Sequence, residues 1–157
     1  MEQENTMQLD ILAVPENVAV ARLALGSFAS QLDFTLAELD EIKVAVSEAV
    51  TNSVVHAYPE APGHVYISAR HDGRELTLVI RDAGCGIADV AQARQPSFST
   101  DPERMGLGFV FMDSFMDGVD VESRLGQGTT VTMHKACQPG PAPRASAADG
   151  SAARQEG

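Results

Sequence analysis

The 157-residue sequence contains no tryptophan, only two cysteines and only eleven lysines and arginines. Cys85 and Cys137 show neither CxxC spacing nor an adjacent pair of histidines, which argues against a zinc site and against a disulfide framework. No apolar run approaches the length of a membrane span, and residues 1–10 are polar and acidic, unlike a signal peptide. We therefore expect a cytoplasmic protein that is not inserted in a membrane.

The small number of basic residues limits which kinds of molecule the protein can bind. Twenty-two acidic residues give a formal net charge of −11. From residue 138 onward Arg144 and Arg154 balance Asp149 and Glu156, so the excess of negative charge lies in the preceding chain. Such a surface repels nucleic acid, which disfavours direct DNA or RNA binding. It suits a basic protein partner, such as one that itself binds DNA, or it serves solubility alone.

Length and composition predict one folded domain, residues 1–137, followed by a disordered tail, residues 138–157. A chain of 157 residues can build one substantial core but not two. From residue 138 the composition shifts to Ala, Pro, Ser and Gly without any apolar period, which is typical of disorder.

The apolar periodicity predicts an α+β two-layer sandwich. Strands are predicted at residues 7–13, 64–71, 74–81, 119–125 and 129–135, and helices at 15–32, at 36–57 and from 108 onward. Asp72-Gly73 and Gly126-Gln127-Gly128 predict the turns of two hairpins. Residues 87–104 predict a long loop with at most one short helical turn. This order favours helices on one face of a mixed, largely antiparallel sheet.

The helix predicted at residues 36–57 carries a carboxylate and an amide close to its end. Thr35 followed by Glu38 is typical of a capping box at its start. Glu48 and Asn52 are four residues apart, which places them about 40° apart around the helix axis and one turn apart along it. By itself such a pair is weak evidence and is more often a solvated helix edge. Two later glycine turns favour a functional role.

The first glycine turn is Asp82-Ala83-Gly84-Cys85-Gly86, at the end of a predicted strand. The third glycine of a dinucleotide-binding turn is missing and no helix follows directly, so that kind of site is disfavoured. The Asp82 carboxylate can accept a hydrogen bond from an exocyclic amine, such as that of adenine. Gly84 and Gly86 would let the backbone approach a flat ring. The alternative is a glycine turn capped by an aspartate.

The second glycine turn, Arg104-Met105-Gly106-Leu107-Gly108, precedes a predicted helix. Amide donors at a helix N-terminus beside a cation suit a phosphate group, although the same pattern also begins ordinary helices. The motifs follow one another in a particular order. An acid/amide helix comes first, then Asp-x-Gly-x-Gly, a loop, Gly-x-Gly opening a helix, and a Gly-Thr-Thr strand.

That order resembles the Bergerat-type ATP-binding fold shared by gyrase, the ninety-kilodalton heat-shock chaperone, histidine kinases and mismatch-repair ATPases. A narrower resemblance, to the anti-sigma F factors of endospore-forming bacteria, rests on the segments EIKVAVSEAVTNSVVHAY, IRDAGCGI, ARQPSFST and GLGFVFMDSFMD. It covers roughly residues 9–135. It implies a sporulation regulator that binds a sigma factor and, as a homodimer, uses Mg-ATP to phosphorylate an anti-anti-sigma antagonist on serine.

The resemblance also implies roles for single residues. Glu48 would act as the general base, or would orient the hydroxyl that attacks the γ-phosphate, and Arg104 would face that phosphate. Asn52 would hold Mg²⁺, since this ion also keeps waters and phosphate oxygens as ligands. His56 continues the same helix face and would have a packing or supporting role. Arg22 matches the family's partner-contact position; the alternative is a solvated helix arginine.

The nucleotide contacts follow from the same resemblance. Asp82 would bind the adenine amine, with Thr130 supporting it through water. Backbone contacts would come from the glycine turns, with Gly84 and Gly86 beside the base and with Gly106, Leu107 and Gly108 at the phosphates. The chain departs from typical members between Thr100 and Gly106, where it is shorter. It also departs at Met105, which replaces a small residue.

Several functions remain open at this point. The first is a serine kinase that also sequesters sigma F, with a stress-response relative acting on another sigma factor as its variant. The second is a nucleotide-gated binding module without useful catalysis; the presence of Glu48 argues against it, because sequestration needs no base. The third is a fragment of a sensor histidine kinase. It is disfavoured because the four histidines do not lie on a separate dimerisation hairpin.

Overall fold

The computed structural model describes residues 3–95 and 107–138. The elements, in chain order, are β1 (Asn5–Leu12), α1 (Glu16–Ala29), α2 (Leu36–Asn52), a π-helical turn (Ser53–Ala57), β2 (His64–His71), β3 (Glu75–Asp82), α3 (Val90–Ala93), α4 (Gly108–Phe115), β4 (Gly118–Arg124) and β5 (Gly128–Ala136). Within this part of the chain, no helix combines the length and apolar character needed to cross a bilayer. The predicted site residues Arg104 and Gly106 and the predicted tail from residue 139 lie outside the described residues.

The five strands form one sheet in the order β1-β2-β3-β5-β4. All four pairings between the described strands are antiparallel, so the sheet has no parallel component and is not mixed. The two predicted hairpins, β2–β3 and β4–β5, are present. Because β5 lies between β3 and β4, the end of β3 at Asp82 pairs with the start of β5 at Thr129.

Helices α1, α2 and α4 cover one face of the sheet, which confirms the predicted two-layer α+β architecture. Every second side chain of the central strands points into the core, as strand alternation requires. The buried stripe of α2 packs on them, and full burial of such side chains stabilises the fold by about 1.5–3 kcal/mol each. The core residues that these elements contribute are Val65, Ile67, Ala69, Leu76, Leu78, Ile80, Ile42, Ala45, Val46, Ala49 and Val50.

The turn between β2 and β3 shows how a short polar side chain closes a hairpin. Three residues separate the two strands, one more than predicted, and Gly73 adopts a positive φ of 93°. The Asp72 carboxylate accepts hydrogen bonds from the backbone N–H groups of Glu75 at 2.8 Å and Arg74 at 2.9 Å. These bonds favour the charged form and hold the pKa of the Asp72 carboxyl below its usual value.

Helix α2 begins as predicted and ends differently. The Thr35 hydroxyl accepts a hydrogen bond from Glu38 N at 3.1 Å, while the Glu38 carboxylate accepts one from Thr35 N at 2.8 Å, which confirms the capping box. The final five residues, predicted as regular helix, form a π-helical turn instead. The Ala57 carbonyl in this turn accepts a hydrogen bond from Cys85 N at 2.8 Å. The first glycine turn is thereby attached to the end of α2.

Candidate functional site

The structure brings Glu48 and Asn52 to the N-terminus of α4. Gly108 is the first residue of that helix, and a Cβ atom placed on it would lie 3.0 Å from Glu48 Oε2 and 3.5 Å from Asn52 Oδ1. Glu48 and Asn52 are both half-buried. The first N–H groups of a helix have no acceptor within the helix and carry its positive end. An anionic group held there would lie beside a carboxylate and an amide.

The space at this point depends on the absence of a side chain at Gly108. The Cβ of any other residue would be closer to Glu48 Oε2 than ordinary van der Waals contact and would fill the gap between α4 and α2. Leu107, which precedes the helix, accepts the hydrogen bond of Phe111 N at 3.0 Å through its carbonyl. Of the residues predicted to bind phosphate, Gly108 thus lies beside the Glu48–Asn52 pair, and Leu107 directly precedes it.

Asp82 is a buried carboxylate at the end of β3, with 5% of its surface exposed. Its Oδ2 accepts a hydrogen bond from Ser53 Oγ at 2.9 Å. Its Oδ1 accepts bonds from Gly84 N at 3.1 Å and Thr129 N at 3.2 Å. Burial of a carboxylate requires such partners. The two oxygens together offer about four acceptor positions, so Asp82 can still accept one more donor.

The glycines after Asp82 are required by contacts within the protein. A Cβ on Gly84 would collide with the carbonyl oxygen of Ala57, in the π-helical turn. Gly86 has a φ of +74°, and a Cβ there would collide with the Arg124 carbonyl oxygen in the β4–β5 hairpin. We predicted that these glycines allow approach to a flat ring. In the structure their close neighbours are backbone atoms, which clamp the turn between α2 and the hairpin.

A cavity of about 510 Å³ opens beside Asp82. It lies between β3, α3 and the β4–β5 hairpin, and its volume falls in the range of small-molecule sites, roughly 300–1,000 Å³. The remaining lining residues are Arg81, Val90, Val121, Glu122, Ser123, Arg124, Gln127, Gly128 and Thr130. This lining provides both charged and apolar surface next to the Asp82 carboxylate.

Comparison with known proteins identifies the family. The family described as histidine kinase-like ATPase domain matches residues 11–135. The anti-sigma F factor of Clostridium acetobutylicum is 48% identical over 134 residues, covering 84% of this chain and 94% of that protein. This chain belongs to the anti-sigma F factor family. Two more members are similar: that of Anoxybacillus flavithermus is 48% identical, covering 83% of this chain and 92% of its own, and that of Bacillus subtilis is 46% identical, covering 84% and 92%.

In this anti-sigma F family member, the residue that touches Asp82 from β5 is Thr129 and not the predicted Thr130. Thr130 pairs with Arg81, so its side chain points to the sheet face opposite Asp82, although it lines the same cavity. The Thr129 hydroxyl is 2.8 Å from Ser123 Oγ. The alternation of β5 could have distinguished the two threonines, because Val131 and Met133 face the core.

Sequence reasoning also missed Ser53 and Ser123. Ser53 orients Asp82, as described above. The Ser123 hydroxyl accepts a hydrogen bond from Ile87 N at 2.7 Å, just after the glycine turn. Ser53 directly follows Asn52. A polar serine on the otherwise apolar, buried stripe was the sequence signal that could have indicated a buried hydrogen-bond partner. Nothing in the local sequence pointed to Ser123, because its contact depends on the loop that packs against β4.

The two remaining predicted residues with described positions are Arg22 and His56. Arg22 is half-buried on α1, where its Nη1 donates to Ser47 Oγ of α2 at 3.5 Å. His56 lies in the π-helical turn with an exposed side chain, and its carbonyl accepts a hydrogen bond from Cys85 Sγ at 3.1 Å. His56 thus supports the glycine turn through its backbone.

Proposed function

We propose that this chain is an anti-sigma factor that binds a sporulation sigma factor of the sigma F type and phosphorylates its anti-anti-sigma antagonist on serine with Mg-ATP. The observation that carries the proposal is the meeting of Glu48, Asn52 and the N-terminus of α4. The sigma factor as partner follows from the name that the relatives bear. The tail is proposed to be a disordered extension of a domain formed by residues 1–137.

The two ends of ATP would be bound by different parts of the site. The adenine amine would donate to Asp82, which lines the cavity and can accept one more hydrogen bond. The phosphates would lie at the N-terminus of α4, where Leu107 and Gly108 are described and where Gly106 would add an amide. Arg104 would face the γ-phosphate. The glycine turn would hold the base in place, and Gly84 and Gly86 allow the close backbone packing of that turn. Thr130, which lines the cavity, would contact the nucleotide through water, whereas Thr129 is the threonine that contacts the Asp82 carboxylate.

The residues at the phosphate end fit a magnesium ion. Within residues 3–95 and 107–138, no group of three or more His, Cys, Asp or Glu side chains is placed to hold a metal. Asn52 offers an amide oxygen, a ligand type that Mg²⁺ accepts, and the gap left by Gly108 lies beside it. Asn52 would thus be the ligand from the protein, with phosphate oxygens and waters as the others. When bound, the ion would neutralise charge on the phosphates.

Glu48 would act on the attacking hydroxyl. The antagonist's serine oxygen would form the new bond to the γ-phosphorus while the bond to the β–γ bridging oxygen breaks, and ADP would leave with that electron pair. Glu48 would orient the serine hydroxyl and accept its proton. Catalysis of this kind depends chiefly on positioning and on charge stabilisation. A carboxylate beside the α4 N-terminus provides the positioning.

Partner binding would use a different surface. Arg22 on α1 is proposed to contact both the sigma factor and the antagonist, because an arginine fork makes several directed hydrogen bonds and often anchors interfaces. The net charge of −11 would favour a basic region of the sigma factor. The protein is proposed to act in the cytoplasm as a homodimer, without direct contact to nucleic acid.

The proposal is tested by incubating the purified protein with labelled ATP, Mg²⁺ and candidate sigma and antagonist proteins from the same genome. Label should appear on a serine of the antagonist. Glu48→Gln should slow transfer by about two orders of magnitude while Mg-ATP stays bound, because it removes the base and keeps the shape. Asn52→Ala should weaken Mg-dependent binding as well.

Asp40→Asn provides a matched control, since Asp40 lies on the same helix with a side chain that is 78% exposed. It should transfer phosphate as the wild type does. Transfer by Glu48→Gln at the wild-type rate would show that the base is another residue. Tight sigma binding without any transfer by the wild-type protein would instead favour the nucleotide-gated binding module.

A further inference from the structure

The guanidinium group of Arg94 joins elements that the sequence motifs did not connect. Its Nη1 donates to the Val119 carbonyl of β4 at 3.1 Å, and its Nη2 donates to Asp113 Oδ1 of α4 at 2.6 Å. Arg94 follows α3 directly, in the ARQPSFST segment. That segment supports the family resemblance, but the proposed ATP site gives Arg94 no role.

The chain that leads to Arg94 is attached to β4 at two points. Ile87 N donates to Ser123 Oγ at 2.7 Å, just after the glycine turn. Arg94 reaches Val119, four residues earlier on the same strand. Residues 87–94 therefore run along β4 from the adenine end of the candidate site toward α4. The Arg94–Asp113 pair completes a connection between the Asp82 turn and the helix that begins at Gly108.

We expect this pair to contribute little to the stability of the fold. The side chains of Arg94 and Asp113 are 28% and 45% exposed, and ion pairs of such exposure contribute little to stability. The core-facing side of α4 is already held by Phe109 and Met112, which are buried. What the pair adds is a fixed point on the outer side of α4. A helix of eight residues moves as one body, so a constraint at Asp113 also constrains Gly108.

We propose that Arg94 is a positioning residue that keeps the N-terminus of α4 at a fixed separation from the Asp82 turn. Adenine and the γ-phosphate would then reach their two sites at the same time. The inference rests on the proposed function in two respects, namely that adenine binds at Asp82 and that the phosphates bind at Gly108. The geometry of the bridge itself does not depend on those assignments.

Arg94→Ala should affect turnover more than binding or stability. In the labelled-ATP assay with Mg²⁺ and the antagonist, kcat should fall about tenfold while the KM for ATP changes less than about threefold. The reason is that the nucleotide keeps its adenine contact but its γ-phosphate is no longer aligned with Glu48. The melting temperature should change by less than about 3 °C. A wild-type kcat would overturn the inference.

Amide hydrogen exchange in the nucleotide-free protein tests the bridge without reference to catalysis. Phe111 N donates to the Leu107 carbonyl in the first turn of α4, and Arg94→Ala should raise its exchange rate about tenfold. Unchanged exchange would overturn the inference even if the kinase is active. Raised exchange, together with a wild-type protein that transfers no phosphate, would support the bridge and refute the proposed function.

A double-mutant cycle distinguishes a bridge from two separate effects. If Arg94 and Asp113 act as one unit, the double alanine variant should be no slower than either single variant. Losses that add would overturn the inference. Should Arg94→Ala fold poorly, Arg94→Lys keeps the charge without the two-armed geometry and should give an intermediate loss in kcat.

Arg70→Ala is the control, because Arg70 also forms an arginine–carboxylate pair, with Glu4 at 3.8 Å, that is more exposed and lies on the β1–β2 side of the sheet. It should leave both kcat and Phe111 exchange at wild-type values. An equal loss in this control would show that removal of any surface arginine slows the enzyme, and the inference would fail.

Discussion

Gly108→Ala would test the phosphate end of the site without disturbing the fold. The substitution adds one methyl group, 3.0 Å from Glu48 Oε2 and 3.5 Å from Asn52 Oδ1. The nearest atom is the end of a flexible side chain, which can withdraw by a few tenths of an ångström. Glycine is less favourable than alanine inside a helix by roughly 0.5–1 kcal/mol, and at the first helical position this is the upper limit of the gain. The variant should therefore be as stable as the wild type, or up to about 4 °C more stable.

The rate of phosphate transfer should fall, although stability is kept or increased. The methyl group would occupy the gap in which a phosphate approaches the first amides of α4, and it would push Glu48 away from the attacking hydroxyl. We expect phosphate transfer to fall at least about tenfold, which corresponds to about 1.4 kcal/mol in the activation barrier. Isothermal calorimetry would measure the affinity for Mg-ATP, and the labelled-transfer assay would measure the rate of phosphate transfer. Differential scanning calorimetry would measure stability.

Gly26→Ala provides the comparison, since Gly26 is also a helical glycine whose added Cβ would meet a flexible side chain, that of Lys43. Gly26 lies on α1, away from α4, and the Gly26→Ala variant should bind ATP as the wild type does. Wild-type transfer by Gly108→Ala would refute the placement of the phosphates at this helix end. A loss of stability above about 5 °C would show that α4 cannot accept the methyl group, and the functional loss would then be structural.

Two further substitutions and one truncation test the adenine contact, the partner surface and the tail. Asp82→Asn should weaken ATP binding by about 1–3 kcal/mol, because an acceptor in a buried network becomes a donor; unchanged affinity by calorimetry would remove Asp82 from the site. Arg22→Ala should weaken binding of both sigma factor and antagonist while ATP affinity stays normal. Full inhibition of sigma-dependent transcription by this variant would make Arg22 a plain surface residue. A chain that ends at Gln138 should keep its melting temperature and ATP affinity, and a clear loss of either would show that the tail docks.

The strands and helices were predictable because their signals are local. The alternation in β2 predicted residues 64–71, and the strand has those bounds. The prediction for β3 ended at residue 81, whereas the strand includes Asp82. Alternation determines which face of the sheet a residue occupies, whereas a strand ends where its backbone pairing with a neighbouring strand ends. Asp82 is still paired with Thr129 of β5. That partner is distant in sequence, so the end of β3 could not be read locally.

The π-helical turn was not predictable for a related reason. The apolar spacing of residues 36–57 remains helical to its end, and no proline or glycine interrupts it. What distinguishes the last turn is contact with the glycine turn, namely the bond from Cys85 N to Ala57 and the close approach of Gly84. In the same way, we predicted from the sequence that position 84 is a glycine because a ligand approaches it. In the structure, the backbone of Ala57 in the π-helical turn is the close neighbour that leaves no room for a side chain there.

These contacts make α2 the element that sets both ends of the proposed ATP site. Its regular part carries Glu48 and Asn52 to the N-terminus of α4, and the next residue, Ser53, holds the Asp82 carboxylate. π-Helical turns are rare and frequently occur at functional sites. Asn52, at the end of α2, lies beside the proposed phosphate end, and Ala57, at the end of the π-helical turn, contacts the glycine turn. The spacing between the proposed catalytic and adenine contacts is therefore set by α2 and the π-helical turn that follows it. The Arg94 bridge on the other side of α4 would hold α4 at a fixed position relative to them.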